Sequence, residues 1–448
     1  MKQTYMKEKP VLPLLLSMAI PMILSMLVNS LYNIIDGIFV AKINEDALTA
    51  LSLVFPVQNL VSSIGVGFGV GVNAVIAISL GANRQQDADR AASQGLFCGA
   101  IHGALFTLFG ILCMPAFLNL FTDSPSVLGY GLQYSRIVLA FSVIVTLEIT
   151  FEKIFQAVGR MMVSMLSLLT GCIVNIILDP LLIFGIGPFP RMGMAGAAWA
   201  TNIGQLSTLI IYLSVWAIRS PNLKLSPSLM RPTASICRQL YLTGIPATLN
   251  MALPSLLVSA LNSLFAAYSQ TYVLVLGIYY KLQTFLYLPA NGAIQGMRPL
   301  LGFNAGAREY QRVRKIYKTT AIIILLVMTL GMILSLTIPE ALLRMFTENP
   351  ETILAGVPAL RTICFGFVIS SLSIVSAGAL EALGKGPQSL IISALRYVLF
   401  SIPIAFLLTK TLGIHTVWNT FWITETAAAL IAFLIYRKTL RDIEQANP

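Results

Sequence analysis

The chain has little charge. Asp, Glu, Lys and Arg make up 10% of its 448 residues, against roughly 25% in a soluble domain, while 56% of residues are hydrophobic and the mean hydropathy is +0.81. That balance excludes a soluble protein. Histidine is nearly absent, and His102 and His415 stand apart, without the spacing of a zinc-protease helix. The five cysteines, Cys98, Cys113, Cys172, Cys237 and Cys364, are scattered, without the spacing of a metal site or disulfide framework. A GxxxxGK[ST] phosphate loop, a GxSxG elbow and paired acidic clusters for diphosphate–magnesium chemistry are also missing. The reading is of a protein that is not an enzyme, hydrolyses no ATP and holds no cofactor. The net charge of +11, which in a soluble protein would suggest nucleic acid, reports topology here instead.

What the chain does have is long apolar runs. A helix needs about 20 apolar residues to cross roughly 30 Å of hydrocarbon, and a barrel would show alternating segments of about ten. Unbroken runs lie near 11–41, 52–80, 92–119, 130–157, 161–187, 193–218, 237–268, 273–302, 318–345, 353–382, 388–410 and 415–436. These give twelve helical crossings and leave no room for a separate soluble domain. The first run is too long for a cleaved leader. With both termini inside, the inner segments carry twenty basic residues, from Lys2, Lys7 and Lys9 to Arg437, Lys438 and Arg441, whereas the outer ends carry only Lys42, Arg191, Arg344 and Lys410. Lys and Arg accumulate on the cytoplasmic side, so both termini are expected there.

The longest polar break, residues 219–238, separates the sixth and seventh spans and contains Pro221, Pro227 and Pro232. It divides the chain into an N-lobe of residues 1–218, a cytoplasmic linker 219–236 and a C-lobe 237–448. An offset of 225 pairs Pro21 with Pro246, Gln58 with Gln283, Gly71 with Gly296, Gly81 with Gly306, Phe121-Thr122 with Phe346-Thr347, Pro125 with Pro350, Arg136 with Arg361, Gly159 with Gly384 and Ser164 with Ser389. A constant offset over so many diagnostic residues marks an internal repeat. Six crossings return the chain to the same side. The fold class expected is therefore an all-α membrane protein, twelve transmembrane helices in two six-helix lobes related by a pseudo-two-fold along the membrane normal. Transporters built this way hold substrate between their halves.

Ionisable residues within spans are functional candidates. The acids are Asp36, Glu148, Glu152, Asp179, Glu381 and Glu425, and the repeat partners of Asp36, Asn175, Asp179, Glu148 and Glu152 are Leu261, Phe400, Ile404, Ser373 and Ala377. The expectation is that the polar chemistry sits in the first half only. Tyr32 and Asn33 lie one turn from Asp36, and Asn175 and Asp179, at i and i+4, share a face. Thr201 follows the small-residue stretch Gly193-Met194-Ala195-Gly196, which lets helices approach closely. Two carboxylates, an amide and a hydroxyl suit Na⁺ or a proton; the alternative is that they serve as hydrogen-bonding glue between helices. Glu148 and the repeat-paired Gln58 and Gln283 are the candidates for substrate contact. Glu152 is expected to pair with Lys153 or Arg160, Glu381 lies beside Lys385, and Lys281 is available to neutralise a carboxylate. Pro21, about four turns before Asp36, is either a static kink or a hinge. The glycines Gly65, Gly67, Gly69 and Gly71 form a close-packing surface.

These features, Pro21 with Asn33 and Asp36, Gly81-Ala82-Asn83, Asn175-Ile176-Ile177-Leu178-Asp179-Pro180, the stretch from Gly193 to Thr201, and Glu381-Ala382-Leu383-Gly384-Lys385-Gly386, resemble the multidrug and toxic compound extrusion (MATE) family over the whole chain, with DinF-like and MepA-like proteins of prokaryotes as the nearest branch. The resemblance implies a V-shaped pair of lobes in a bacterial or archaeal plasma membrane. It also implies secondary-active efflux of organic, mainly cationic amphipathic compounds in exchange for inward H⁺ or Na⁺, by a monomer. The family's cation network maps onto Asp36, Asn175, Asp179 and Thr201, with Tyr32, Asn33 and Tyr134 as neighbours. Some members use acids in the seventh and tenth helices; here the seventh span has none and the tenth only Glu381, which favours coupling through the N-lobe. A lipid-linked saccharide flippase of the same superfamily is the alternative, with two further helices and a cationic cavity expected of it.

Overall fold

A computed structural model describes residues 4–446, so Lys2 lies outside the described residues. Every regular element among them is helical: α1 (Tyr5–Glu8), α2 (Val11–Ala41), α3 (Glu45–Gly81), α4 (Gln85–Asn119), α5 (Pro125–Ala140), α6 (Ser142–Ala157), α7 (Met161–Phe184), α8 (Met194–Ile218), α9 (Ala234–Ala266), α10 (Gln270–Gly306), α11 (Tyr310–Thr337), α12 (Pro339–Arg344), α13 (Pro350–Ile363), α14 (Phe365–Ala382), α15 (Gly386–Ala394), α16 (Ser401–Leu412) and α17 (Asn419–Ala446), with short 3₁₀ and π turns between some of them. Among the described residues, eleven helical stretches are long and apolar enough to cross a membrane. The expected span at 130–157 is the twelfth. It is broken at Phe141 into α5 and α6, of 16 residues each, neither long enough alone. Side chains satisfy carbonyls released near the break: Thr107 Oγ1 donates to the Leu139 carbonyl at 2.9 Å and Asn202 Nδ2 to that of Ile137 at 2.9 Å, as apolar surroundings require. The span expected at 353–382 is likewise broken at Cys364, and that at 318–345 ends early at Pro339.

The repeat is visible in the backbone. Left-handed φ values occur at Asn83 and Arg308 and again at Gly159 and Gly384, both pairs 225 apart. Ser124 Oγ and Asn349 Oδ1, another such pair, cap α5 and α13 ahead of Pro125 and Pro350, which suit the first helical turn because their missing N–H is not needed there.

Packing divides the described chain into two units, residues 20–80 with 84–244 and residues 4–19 with 81–83 and 245–446. These limits differ from boundaries drawn at 218 and 237 because polar contacts tie the linker to the first unit. The Lys224 amide donates to Asp89 Oδ1 at 2.9 Å, Gln85 Nε2 to the Asn222 carbonyl at 2.9 Å, and His102 Nε2 meets the Tyr241 hydroxyl at 2.9 Å. In the second unit, Lys7 pairs with Glu309 at 2.7 Å and Asn304 Nδ2 donates to the Met6 carbonyl at 3.2 Å. Helix α2 thus changes unit at Ile20, beside Pro21, and α9 at Ile245, beside Pro246.

Within the first unit the expected glycine face of α3 receives α6. A Cβ on Gly65 would lie 2.9 Å from Ile149 Cδ1, and one on Gly69 would overlap the stem of Lys153. Gly196 is tighter still, since its Cβ would meet the backbone of Leu182 and Ile183 at 2.6–2.8 Å, where no side chain can swing away. Gly196→Val is therefore expected to cost about 2 kcal/mol or more through overpacking. Gly277→Ala, where nothing lies within 4 Å, should be neutral or slightly stabilising. Thermal unfolding of the purified proteins in detergent checks both.

Candidate functional site

Five helices of the first unit bring polar groups to one place. Asp36 comes from α2, Gln58 from α3, Tyr134 from α5, Asn175 and Asp179 from α7, and Thr201 from α8. The helices that carry the aspartates expose an apolar face, Ile34 and Ile38 on α2 and Ile173 and Ile177 on α7, which suits lipid and leaves the polar stripe to turn inward. Asp36 is 8% exposed and Asp179 0%; they are the deepest charges of this group. Their carboxyl groups are within hydrogen-bonding reach of each other, a contact that needs one proton or one cation between two anions. Asn175 Nδ2 donates to Thr201 Oγ1 at 3.5 Å, Gln58 Nε2 donates to the Tyr134 hydroxyl at 3.4 Å, and Tyr134 reaches Thr201. The Tyr32 hydroxyl lies within electrostatic reach of Asp36, Tyr134 and Asp179.

Four acceptors of this cluster are buried without a protein donor among the described residues: Asp36 Oδ1, Asn175 Oδ1 and both oxygens of Asp179. None of the ion pairs among the described residues involves either aspartate. Buried acceptors of this kind are costly unless something supplies positive charge or protons. The donor set is all oxygen and hard, the chemistry that suits Na⁺ or a proton rather than a soft metal.

One expected neighbour of the aspartates lies off the cluster. Asn33 is exposed and turns back to Asn29, donating to its carbonyl at 2.7 Å and its side-chain oxygen at 2.8 Å. Glu148 lies deeper in α6, near Glu152, Cys172 and Tyr212. Gln58 joins the aspartate cluster, whereas Gln283 belongs to the second unit, donating to the Tyr279 hydroxyl at 2.9 Å. Pro21 lies inside α2, and its carbonyl accepts from Ser25 Oγ at 2.8 Å.

The expectation that polar chemistry is confined to the first half is overturned. In the second unit Arg396 Nε donates to Glu425 Oε1 at 2.5 Å, with side chains 7% and 13% exposed. Glu381 does not turn to Lys385; it pairs with Arg298 at 2.5 Å and accepts from Asn250 Nδ2 at 2.8 Å and Ser389 Oγ at 3.1 Å. Lys281 lies 5.9 Å from the centroid of the Phe346 ring and pairs with no carboxylate among the described residues. A search for acids alone missed both arginines. The signal was nonetheless present: Arg298 and Arg396 are among the five basic residues that fit neither the inner nor the outer segments. Glu152 does pair with Lys153, at 3.0 Å, and accepts from Gln156 Nε2 at 2.5 Å.

The MatE family model matches residues 21–181 and 246–407, two copies starting 225 residues apart, and the chain belongs to that family. It is a multi-pass membrane protein of a transporter family. The multidrug export protein MepA of Staphylococcus saprophyticus is 24% identical over 96% of this chain and 94% of its own length. Two solved structures share the fold. An outward-facing multidrug resistance MATE family transporter of the MOP superfamily matches at TM-score 0.91 and 23% identity over 99% of each chain. A MOP superfamily transporter from Pyrococcus furiosus matches at 0.90 and 22% identity over 99% of each chain.

Lys153, whose side chain is 4% exposed, offers a test of how the first unit is held. Lys153→Met leaves Glu152 buried without its cation and is expected to destabilise by about 3–5 kcal/mol. Adding Glu152→Gln should recover much of that loss, as a double-mutant cycle in thermal unfolding will measure.

Proposed function

We propose that this protein is a secondary-active multidrug efflux antiporter, exporting organic, mainly cationic amphipathic compounds in exchange for inward H⁺ or Na⁺ by alternating access. The observation that carries the reading is the buried Asp36–Asp179 pair with acceptors that no donor among the described residues fills. The printed name of the staphylococcal relative, multidrug export protein, supports the substrate class, and the excess of basic residues in the inner segments supports both termini lying in the cytoplasm of a prokaryotic cell.

In this mechanism an inward-moving cation occupies the site formed by Asp36, Asn175, Asp179 and Thr201, with Tyr134 and Tyr32 fixing its neighbours. Occupancy favours one conformation and release favours the other, and coupling follows only because ion and drug prefer different states. Pro21 acts as the hinge, a reading supported by its position next to Ile20, where α2 passes from one packing unit to the other. Exchange of one monovalent cation for one monovalent drug moves no net charge. Each further inward charge adds about 2.3 kcal/mol per 100 mV of membrane potential.

Asp36→Asn, produced at normal levels in a drug-hypersusceptible host, is expected to abolish ion-driven efflux, and Thr201→Ala to weaken it several-fold. Retained efflux by Asp36→Asn would sink the assignment. Transport by reconstituted protein under imposed Na⁺ and H⁺ gradients, applied separately, identifies the ion.

A further inference from the structure

The Asp36–Asp179 pair of the first unit and Glu425 of the second are neutralised in opposite ways. In the first unit Asp36 and Asp179 form no ion pair with a basic side chain among the described residues and retain unfilled acceptors. In the second, both oxygens of Glu425 are taken: Oε1 by Arg396 Nε at 2.5 Å and Oε2 by Ser373 Oγ at 3.2 Å. Arg396 is itself held in place. Its Nη2 donates to the Tyr287 hydroxyl at 3.3 Å, which in turn meets Ser370 Oγ at 2.9 Å, and its guanidinium stands 4.9 Å from the centroid of the Tyr397 ring. Tyr279 and Tyr280 lie within electrostatic reach of the pair.

The repeat shows how the chain made room for this. Arg396 occupies the position of Gly171, where in the first unit α7 packs closely on α8: a Cβ there would overlap Thr208 Oγ1 and lie 2.8 Å from the Gly204 carbonyl. An arginine cannot fit such a contact. In the second unit the corresponding helix opens into a π turn over Leu395–Phe400, closed by Ser401 Oγ donating to the Arg396 carbonyl at 2.6 Å. π turns of this kind insert a residue into a helix and recur at functional positions. Ser373, which contacts Glu425, stands at the repeat position of Glu148.

We propose that Arg396 is a tethered cation that neutralises Glu425 in the second unit as a coupling ion neutralises the aspartate pair in the first, so that Arg396 fixes the number of ions exchanged per drug molecule. The proposal rests on the first unit's being the coupling site. Removing the guanidinium would leave Glu425, Ser373, Ser370 and Tyr287 as an all-oxygen set around an anion, the hard donor chemistry a small cation takes. Arg396 is therefore a determinant of stoichiometry, acting through Glu425 and not on the drug.

The test is the charge moved per cycle by full-length protein in liposomes, with ethidium as exported cation and either Na⁺ or H⁺ as the sole driving ion, equal on both sides. Arg396→Gln is expected to bring in one more positive charge per ethidium. An electroneutral exchange would then become one in which about 59 mV balances a tenfold ethidium gradient, and an exchange already of two cations for one would fall from about 59 to about 30 mV. Arg396→Gln with Glu425→Gln should return to the ratio of the unaltered protein. An unchanged ratio in Arg396→Gln, or an extra charge that persists in the double variant, overturns the proposal. If Arg396→Gln alone does not fold, the double variant decides: the unaltered ratio supports a resident cation, and a ratio lower by one overturns it, because Glu425 would then have been carrying an ion beside Arg396. Asp36→Asn in the same assay reads separately: coupling that survives there refutes the first-unit site, whatever the Arg396 variants show.

Discussion

A carboxylate inside an apolar helix bundle must be neutralised, and the source of the neutralising charge organises this molecule. Water is absent from the hydrocarbon region, so each buried acid takes a lysine or arginine, a proton, or a metal cation. Glu152 has Lys153, Glu381 has Arg298, and Glu425 has Arg396. Among the described residues Asp36 and Asp179 have no basic partner and face each other. The Asp36–Asp179 pair therefore sets one place in a duplicated scaffold apart from the carboxylates that have a basic partner.

The same constraint acts on the backbone. Where a span is broken at Phe141, Thr107 and Asn202 supply donors to the released carbonyls. Where the chain turns between spans, left-handed residues recur at the repeat spacing. Glycine then sets how near the helices come. Gly65 and Gly69 admit the α6 side chains, and Gly196 brings α8 onto the backbone of α7, the two elements that carry Thr201 and the Asn175–Asp179 face. Close packing thus positions the oxygen donors, and the donors have little freedom to turn elsewhere.

Much of this was legible in the residues. Hydropathy gave the spans, the 225-residue offset gave the duplication, and the i, i+4 spacing of Asn175 and Asp179 placed both on one face. Asn33 was misjudged because sequence proximity to Asp36 does not say which side of a helix is buried. The break at Phe141 was also invisible, since no proline or glycine marks it and the carbonyls it frees are satisfied by residues on other helices.

By itself the sequence determined the solvent, the helical class, the repeat and the inventory of intramembrane acids, because these depend on local composition and on spacing along one chain. The tertiary structure decided the pairings. Arg298 meets Glu381 from another helix 83 residues away, and Arg396 meets Glu425 from 29 residues away. Whether a buried charge is spent on a neighbour or left for an ion is a property of distances between helices, and no pattern within a single helix encodes it.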